Sequence, residues 1–443
     1  MAASHTPTIA VLGAAGLIGE ALAHGLGTLG FAVAPIARRF APAQRAAWEG
    51  LAVTTPIVDL AVADLTRLLA EYEIDVVVNC LGVLQDGPRG RADDVHRGFV
   101  ERLLAAIAAA PRPIVLVHVS IPGAAEDDRT AFARTKRAAE AAIVASGHPH
   151  VILRPGFVVA SAAYGGSALV RALAALPVDL PRREAERSFA ATDIRDLVAT
   201  VAEVARRWGE GDRDLRVHWD VLERRPGAVG DVIAAFRRRF GGPQPILRIP
   251  GWTMDLGARF GDLVARLGWS PPIRSTALAE MRRGVVGDPG PWEAATGLRP
   301  TPLAECLAAL PATVQERWFA RLYLLKPLVI GGLALFWLTS GLLALGPAHV
   351  AAVAVLTDHG MPAWFAAAAT VATALADILV GLAVARRRSC RAGLLAGLFL
   401  AGGYLLGSVV VAPDLWLDPL GPMVKVAPAM ILMAVGLAIL DDR

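Results

Sequence analysis

The sequence predicts a doubly wound parallel α/β sheet with a small cap lobe, followed by an all-α bundle of four transmembrane helices. Three observations carry this reading. The apolar run Ile9–Leu12 breaks into a glycine-spaced stretch, Gly13–Gly19, and a helical pattern follows. Strand-like and helix-like segments then alternate to about residue 210, the pattern of a parallel sheet covered by helices. After Lys326, four long apolar segments follow one another. A mean hydropathy of +0.49 with 19% charged residues is too apolar for an ordinary soluble chain of 443 residues, and the excess lies in that last part.

The first strand turns into its helix over Gly13, Gly16 and Gly19, with GxxGxxG rather than GxGxxG spacing. Gly13 permits a tight turn, Gly16 lets backbone approach a ligand, and Gly19 allows close helix–strand packing. The helix start offers free N–H groups to phosphates, so the stretch reads as a dinucleotide cradle. Phe31–Ile36 is the second strand, with Arg38 and Arg39 directly after it and no acidic residue between Phe31 and Gln44. An Arg at this point accommodates a 2′-phosphate, which predicts NADP in preference to NAD. The alternative is two solvated loop arginines. Ile57–Asp59 reads as a short strand whose Asp meets the adenine, and the helix Ala61–Tyr72 follows. Asp75–Cys80 and Ile114–Ser120 are continuous apolar strands suited to a sheet covered on both faces. Leu81 and Gly82 make a second close-approach loop. Helices Asp93–Ala110 and Arg129–Ser146 alternate with these strands, and Val151–Leu153 is the next strand.

The ordered motifs are GAAGLIG at residues 13–19, NCLG at 79–82, HVS at 118–120, TAFARTKRAAE at 130–140, LRPG at 153–156 and ATDIRDL at 191–197. Together they resemble the extended or atypical short-chain dehydrogenases/reductases, over residues 8 to about 310. The resemblance implies a Rossmann fold and a cofactor set of Gly13, Ala14, Ala15, Gly16, Leu17, Ile18, Gly19, Arg38, Arg39, Asp59, Leu60, Cys80, Leu81, Gly82, Lys136 and Pro155. It also implies that Lys136 holds the nicotinamide ribose and that Ser120 occupies the family's Ser position. One departure matters. The family's general acid or base is the Tyr of a Tyr-x-x-x-Lys pair, and this chain has Phe132 four residues before Lys136. Members that lack this Tyr include NmrA-like redox sensors and the nucleotide-binding accessory subunit of respiratory complex I. Tyr164 is the candidate replacement acid, against an ordinary loop tyrosine. Asp193 and Arg195 are cleft candidates by family position, against a structural ion pair or helix cap. His118 reads as a packed strand histidine.

Residues 212–311 read as a cap lobe with helices over Gly230–Phe240, Asp255–Leu267, Thr276–Val285 and the proline-led Gly297–Leu310. Arg237, Arg238 and Arg239 end the first of these, where cations favour the helix dipole, on a face read as solvated. Domain bounds follow as 1–210, 211–315 and 316–443. The three cysteines fall in no metal-ligand or disulfide spacing, which predicts neither. The start MAASHTPT has no charged leader and no cleavable apolar run, which predicts no signal peptide. Net charge is +4 with pI about 9.2; juxtamembrane arginines and a phosphate site explain it without nucleic acid.

The apolar segments Pro327–Leu345, Ala363–Ala385, Ala392–Val411 and 420–440 each have the ~20 residues a membrane span needs. Arg317, Arg321 and Lys326 precede the first; Arg386, Arg387, Arg388 and Arg391 lie between the second and third. The other two loops carry Asp358, Asp414 and Asp418 and no Lys or Arg. The positive-inside rule then predicts an inner (plasma) membrane protein with the soluble part and both termini in the cytoplasm. Asp377 is an intramembrane carboxylate, either a functional group or a helix–helix hydrogen-bonding group. Lys425 lies too far along its span for a direct salt bridge to it without stagger. QERWFARLYLLKPL and the bundle after it resemble the DoxX-like membrane family, which implies topology more than activity. The whole predicts a membrane-anchored oxidoreductase acting with NADPH on a small organic or lipid-soluble substrate such as a quinone. The alternative is a non-catalytic nucleotide sensor or assembly factor.

Overall fold

The computed structural model describes residues 6–87, 91–419 and 421–441. It divides into two compact units, Met1–Asp262 with Pro271–Ala320, and Leu263–Ser270 with Arg321–Arg443.

The first unit is built on seven parallel strands: β1 (Thr8–Leu12), β2 (Ala32–Ala37), β3 (Val53–Thr54), β4 (Val76–Asn79), β5 (Val115–Val119), β6 (His150–Pro155) and β7 (Arg216–Val221). Their order across the sheet is 7-6-5-4-1-2-3, so the order reverses between β1 and β4. That switch point leaves a crevice at the carboxyl ends of the strands, where ligands bind in this architecture. Every residue of β4 and β5 is buried, as continuous apolar runs require when helices cover both faces. On one face α1 (Leu17–Thr28) packs through Leu22 and Leu26 with Val201 and Trp208 of the later helix Ile194–Gly209. The other face carries α2 (Val62–Glu71), α3 (Phe99–Ala108) and α4 (Ala131–Ala145), through Leu65, Phe99, Leu103 and Ile143.

Two local readings are corrected here. Ile57–Asp59 is a 3₁₀ turn, not a strand; Pro56 ahead of it cannot donate to a ladder, and β3 is the short Val53–Thr54. The arginines ending α6 (Val229–Phe240; α5 is Ile194–Gly209) are not one solvated face. Arg237 is buried and donates to Val178 O at 2.7 Å, and Arg239 donates to Leu310 O, so two of the three satisfy lobe carbonyls. A separate core of Val170, Ala174, Val232, Phe236, Leu278 and Leu307 holds this lobe together.

The second unit is helical. α8 (Leu325–Leu345), α10 (Ala363–Ala385) and α11 (Cys390–Val411) are long and apolar enough to cross a membrane; α7 names Ser275–Arg283 of the first unit. The fourth expected span is the shorter α12 (Val426–Ala438). Its expected start, residue 420, lies outside the described residues. Residues 422–425 form a turn, where Pro422 and the left-handed Gly421 break the helix. A short helix, α9 (His349–Asp358), occupies what reads in sequence as a loop.

Small residues let these helices approach. A Cβ on Gly341 would lie 2.4 Å from Ala374 O, and one on Gly381 2.8 Å from Leu338 N. Lys326 and Arg387 both donate to Leu440 O, so the chain end returns to the face from which α8 departs. At the other face His359 Nε2 meets Asp414 Oδ1 at 2.6 Å and joins the two loops that lack Lys and Arg.

Candidate functional site

The cradle is built by steric necessity. Gly13 has φ +84°, a conformation side chains rarely adopt, and its N–H donates to Ile36 O at 2.9 Å. Gly16 caps α1 with its own N–H on Gly13 O at 2.9 Å. A Cβ on Gly19 would sit 2.3 Å from Gly13 O, so only glycine lets α1 start this close to β1. Leu17, Ile18 and Gly19 form the first turn and present N–H groups with no intrahelical acceptor. Leu81 closes the opposite wall, its Cδ2 3.2 Å from where a Gly13 Cβ would be. Gly13, Ala14, Ala15, Gly16, Cys80, Leu81 and Gly82 therefore gather at the β1–β4 switch point. Such an arrangement fits a pyrophosphate on main-chain N–H groups.

Lys136 lies deeper, at the ends of β4 and β5. Its ammonium donates to Val119 O at 2.9 Å and Leu81 O at 3.2 Å. Burial lowers its pKa to about 8, with Cys80 and Glu140 partly opposing that shift. The ammonium has three N–H donors, so one remains for a ribose hydroxyl. Cys80 is partly buried, and desolvation pushes its thiol up to about 12, so it is no thiolate at neutral pH.

Phe132 stands one turn before Lys136 on α4, edge-on to His96 with ring centroids 5.5 Å apart. His96 is a site residue that sequence reasoning missed. It sits on a turn of π-helix, Asp94–Gly98, and is buried. Its Nε2 accepts from Val83 N at 3.1 Å. That leaves the proton on Nδ1, which donates to Thr135 Oγ1 at 2.8 Å, and Thr135 donates on to Phe132 O at 3.0 Å. Burial, then the Lys136 charge, lower His96 to about 3. It is a neutral brace between the loop after β4 and α4. His118 is wholly buried beside Asn79 Nδ2 at 3.2 Å, as a packed strand histidine should be, and burial holds it well below its usual value.

Ser120 is buried next to the Glu140 carboxylate. Burial works to raise Glu140, but hydrogen bonds from Arg154 and the Arg154 and Arg137 charges hold it below the usual range. Glu140 is one link in a chain of six charges. Arg154 and Arg137 both grip it; Arg137 also binds Asp128 at 3.0 Å, and Arg283 of α7 binds Asp128 at 3.0 Å and Glu280 at 3.1 Å. Three arginines meet three carboxylates, and Thr130, the N-cap of α4, donates to Glu280. The chain thus ties α7 to the loop that follows Ser120. No sequence signal marks it, because Arg283 is 155 residues from Asp128.

The remaining expected site residues are placed as follows. Pro155 ends β6 and is buried. Asp59 is exposed and Leu60 half-buried after the 3₁₀ turn. Tyr164 is half-buried in a loop whose backbone closes on the Ser167 hydroxyl, with Tyr164 N donating and Tyr164 O accepting at 2.9 Å each. Asp193 caps α5 through Arg195 N at 2.8 Å and pairs with the Arg195 guanidinium at 2.7 Å. That is the structural reading of the pair. A cavity of about 400 Å³ lined by Asp75, Pro113, Trp208 and Arg213 lies at the amino-terminal edge of the sheet, away from the cradle. In the membrane unit, Asp377 is buried and accepts from Ser340 Oγ and Tyr404 OH at 2.7 Å each. It links α8, α10 and α11, and among the described residues it meets no cation; Lys425 is exposed in the turn before α12.

Comparison with known proteins assigns the two parts. Residues 9–175 match the NAD dependent epimerase/dehydratase family, and residues 334–434 match the DoxX-like family. The chain joins an epimerase-type Rossmann domain to a DoxX-like membrane domain. No curated protein matches the sequence. Among solved structures, UDP-glucuronic acid 4-epimerase from Bacillus cereus, in complex with UDP-glucuronic acid and NAD, is similar with TM-score 0.51 and 17% identity. The match covers 71% of this chain and 99% of that one. WbmH from Bordetella bronchiseptica, in complex with NAD+, has TM-score 0.51 and 16% identity over 72% of this chain and 99% of that one. At these identities the likeness is one of fold.

The NAD complexes overturn the NADP expectation for the epimerase-type domain. Arg38 and Arg39 are exposed past the end of β2 and make no hydrogen bond among the described residues. Nothing pre-sets them as a clamp for a 2′-phosphate, and a guanidinium there can equally stack on a planar ring.

Proposed function

We propose that this is a membrane-anchored NAD-binding protein in which the dinucleotide is a bound ligand, sensed or structural, and not the partner of a Tyr-dependent proton transfer. One observation carries the reading: the position that should hold the acid is Phe132, edge-on to neutral His96, while Val119 O and Leu81 O take two of the three Lys136 donors. The ammonium therefore has no phenol to activate. The intact cradle supports retained binding, with Gly13–Gly19 on the phosphates and the third Lys136 donor on the ribose. Cys80, Leu81, Gly82 and Pro155 line the nicotinamide end. A tyrosine-to-phenylalanine variant of the Bacillus cereus epimerase was crystallised with NAD, so that protein still holds the dinucleotide with one tyrosine exchanged for phenylalanine.

Retention of Lys136 supports a second reading, an oxidoreductase. Bound NADH would supply hydride to a lipid-soluble acceptor such as a quinone, with the proton drawn from water. Tyr164 and Ser120 are the hydroxyls to vary in that case. Arginines at residues 386–391, and none in the loops 346–362 and 412–419, support a cytoplasmic soluble part and cytoplasmic termini in a plasma membrane.

The test is NADH titration of the full-length protein in detergent, followed by a turnover assay with quinones and aldehydes. Binding without turnover, and an aldehyde or ketone activity gained by Phe132→Tyr, fits the ligand reading. Turnover by the wild type establishes the oxidoreductase. No binding of NADH removes both.

A further inference from the structure

The helix Gly251–Arg266 has two apolar faces. Met254, Ala258 and Gly261 are buried, the first two in the lobe core. On the other side Trp252, Leu256, Phe260, Leu263 and Leu267 are all exposed, Trp252 by 66% and Phe260 by 65%. At ~100° per residue these five fall within an arc of ~80°, opposite the buried face. Exposed apolar residues scattered singly need no account, but a contiguous stripe of this size marks an interaction surface.

We infer that this stripe lies in the membrane interface and that its partner is lipid. The helix ends where the second unit begins: Leu263–Ser270 belong with the membrane spans. Trp269 Nε1 donates to Ala385 O, the last residue of α10, at 2.7 Å, and Arg387 N donates to Leu267 O at 3.1 Å. The Arg387 guanidinium stands 5.4 Å from the Trp269 ring centroid. The last residues of the stripe are therefore fixed at the level where a span leaves the hydrocarbon. Trp and Arg are the residues that sit at that boundary. From this fixed point the stripe runs back ~24 Å along its helix. Arg259 and Arg266 flank it on one side, and Arg386, Arg388 and Arg391 neighbour Arg387 in the chain. This is the pattern of an interfacial amphipathic helix, apolar below and basic at headgroup depth. A protein partner would not need the stripe to be continuous with a span terminus.

The experiment uses full-length protein with Cys80, Cys306 and Cys390 replaced by Ser, reconstituted in phosphatidylcholine–phosphatidylglycerol vesicles. Nitroxides are placed at Leu256→Cys and, separately, Phe260→Cys. Accessibility to oxygen and to a water-soluble nickel chelate is compared with Val410→Cys, on the outside of a span, and Glu71→Cys, on α2. The expected result is loss of nickel accessibility to the level of the span site, with oxygen accessibility retained. Nickel accessibility equal to that of the α2 site overturns the inference. So does loss of access to both reagents, which would mean that protein covers the stripe. The natural sequence gives an independent readout. A photoactivatable phospholipid should leave adducts on the peptide spanning residues 252–260, and adducts confined to the spans would contradict the inference.

Discussion

Gly19 has no room for a side chain, because its Cβ would meet Gly13 O at 2.3 Å. Gly19→Ala should therefore weaken NADH binding by ~10-fold or more, about 1.4 kcal/mol, without unfolding the sheet. Calorimetry with a circular-dichroism control checks this. Lys136 carries a pH signature. In the fold it loses its proton at about 8, against an ordinary 10.5, so between these values the unfolded chain binds more protons and stability rises with pH. Cys80 acts oppositely above 9, since its folded thiol keeps the proton to about 12. Between pH 8 and 9 the wild type should gain ~1 kcal/mol relative to Lys136→Met, read as diverging thermal midpoints; parallel midpoints would contradict it. Much of this site was legible in sequence. The glycines and Lys136 were readable because each obeys a local spacing. His96 was not, because its partners Val83 and Thr135 come from different elements and a π-turn sets its direction. The NADP expectation fails because the charge of Arg38 and Arg39 is visible in sequence while its use is not: a guanidinium there suits a 2′-phosphate or a planar ring equally.

Helix α5 starts on Asp193, whose carboxylate accepts from Arg195 N and pairs with its guanidinium. Asp193→Ala should lower stability by ~1 kcal/mol, the usual worth of a cap, and leave NADH affinity unchanged. A fall in affinity instead would restore the pair as cleft residues. In the membrane, Asp377→Leu removes both hydrogen bonds that tie α10 to Ser340 and Tyr404. A thermal midpoint drop in detergent worth ~1–2 kcal/mol follows, with Asp377→Asn milder because one acceptor remains. Element types were readable wherever period and length agreed, as for β4, β5 and α4. The failures lie where a proline intervened: Pro56 turned an expected strand into a 3₁₀ turn, and Pro422 cut the fourth span short. Arg237 and Arg239 looked solvated because sequence does not show which carbonyls a folded lobe leaves unpaired.

The join of a soluble α/β part to a membrane bundle was readable from composition, since hydropathy changes abruptly near Lys326, whereas the families were readable only from the ordered motifs. Within the bundle, Lys326 and Arg387 converge on Leu440 O, while His359 and Asp414 meet at the other face. A reporter fused to the C-terminus should therefore lie on the same side of the membrane as one at the N-terminus, and one inserted near residue 360 on the opposite side. Opposite placement of the two termini would mean that α12 does not cross. The central claim is that the cradle still holds NAD although Phe132 has replaced the acid. Titration of NADH and NADPH into the full-length protein tests it most directly. Saturable NADH binding that Gly19→Ala weakens ~10-fold or more and that exceeds NADPH binding is the expected result. Binding of neither dinucleotide, or a clear preference for NADPH, would contradict it.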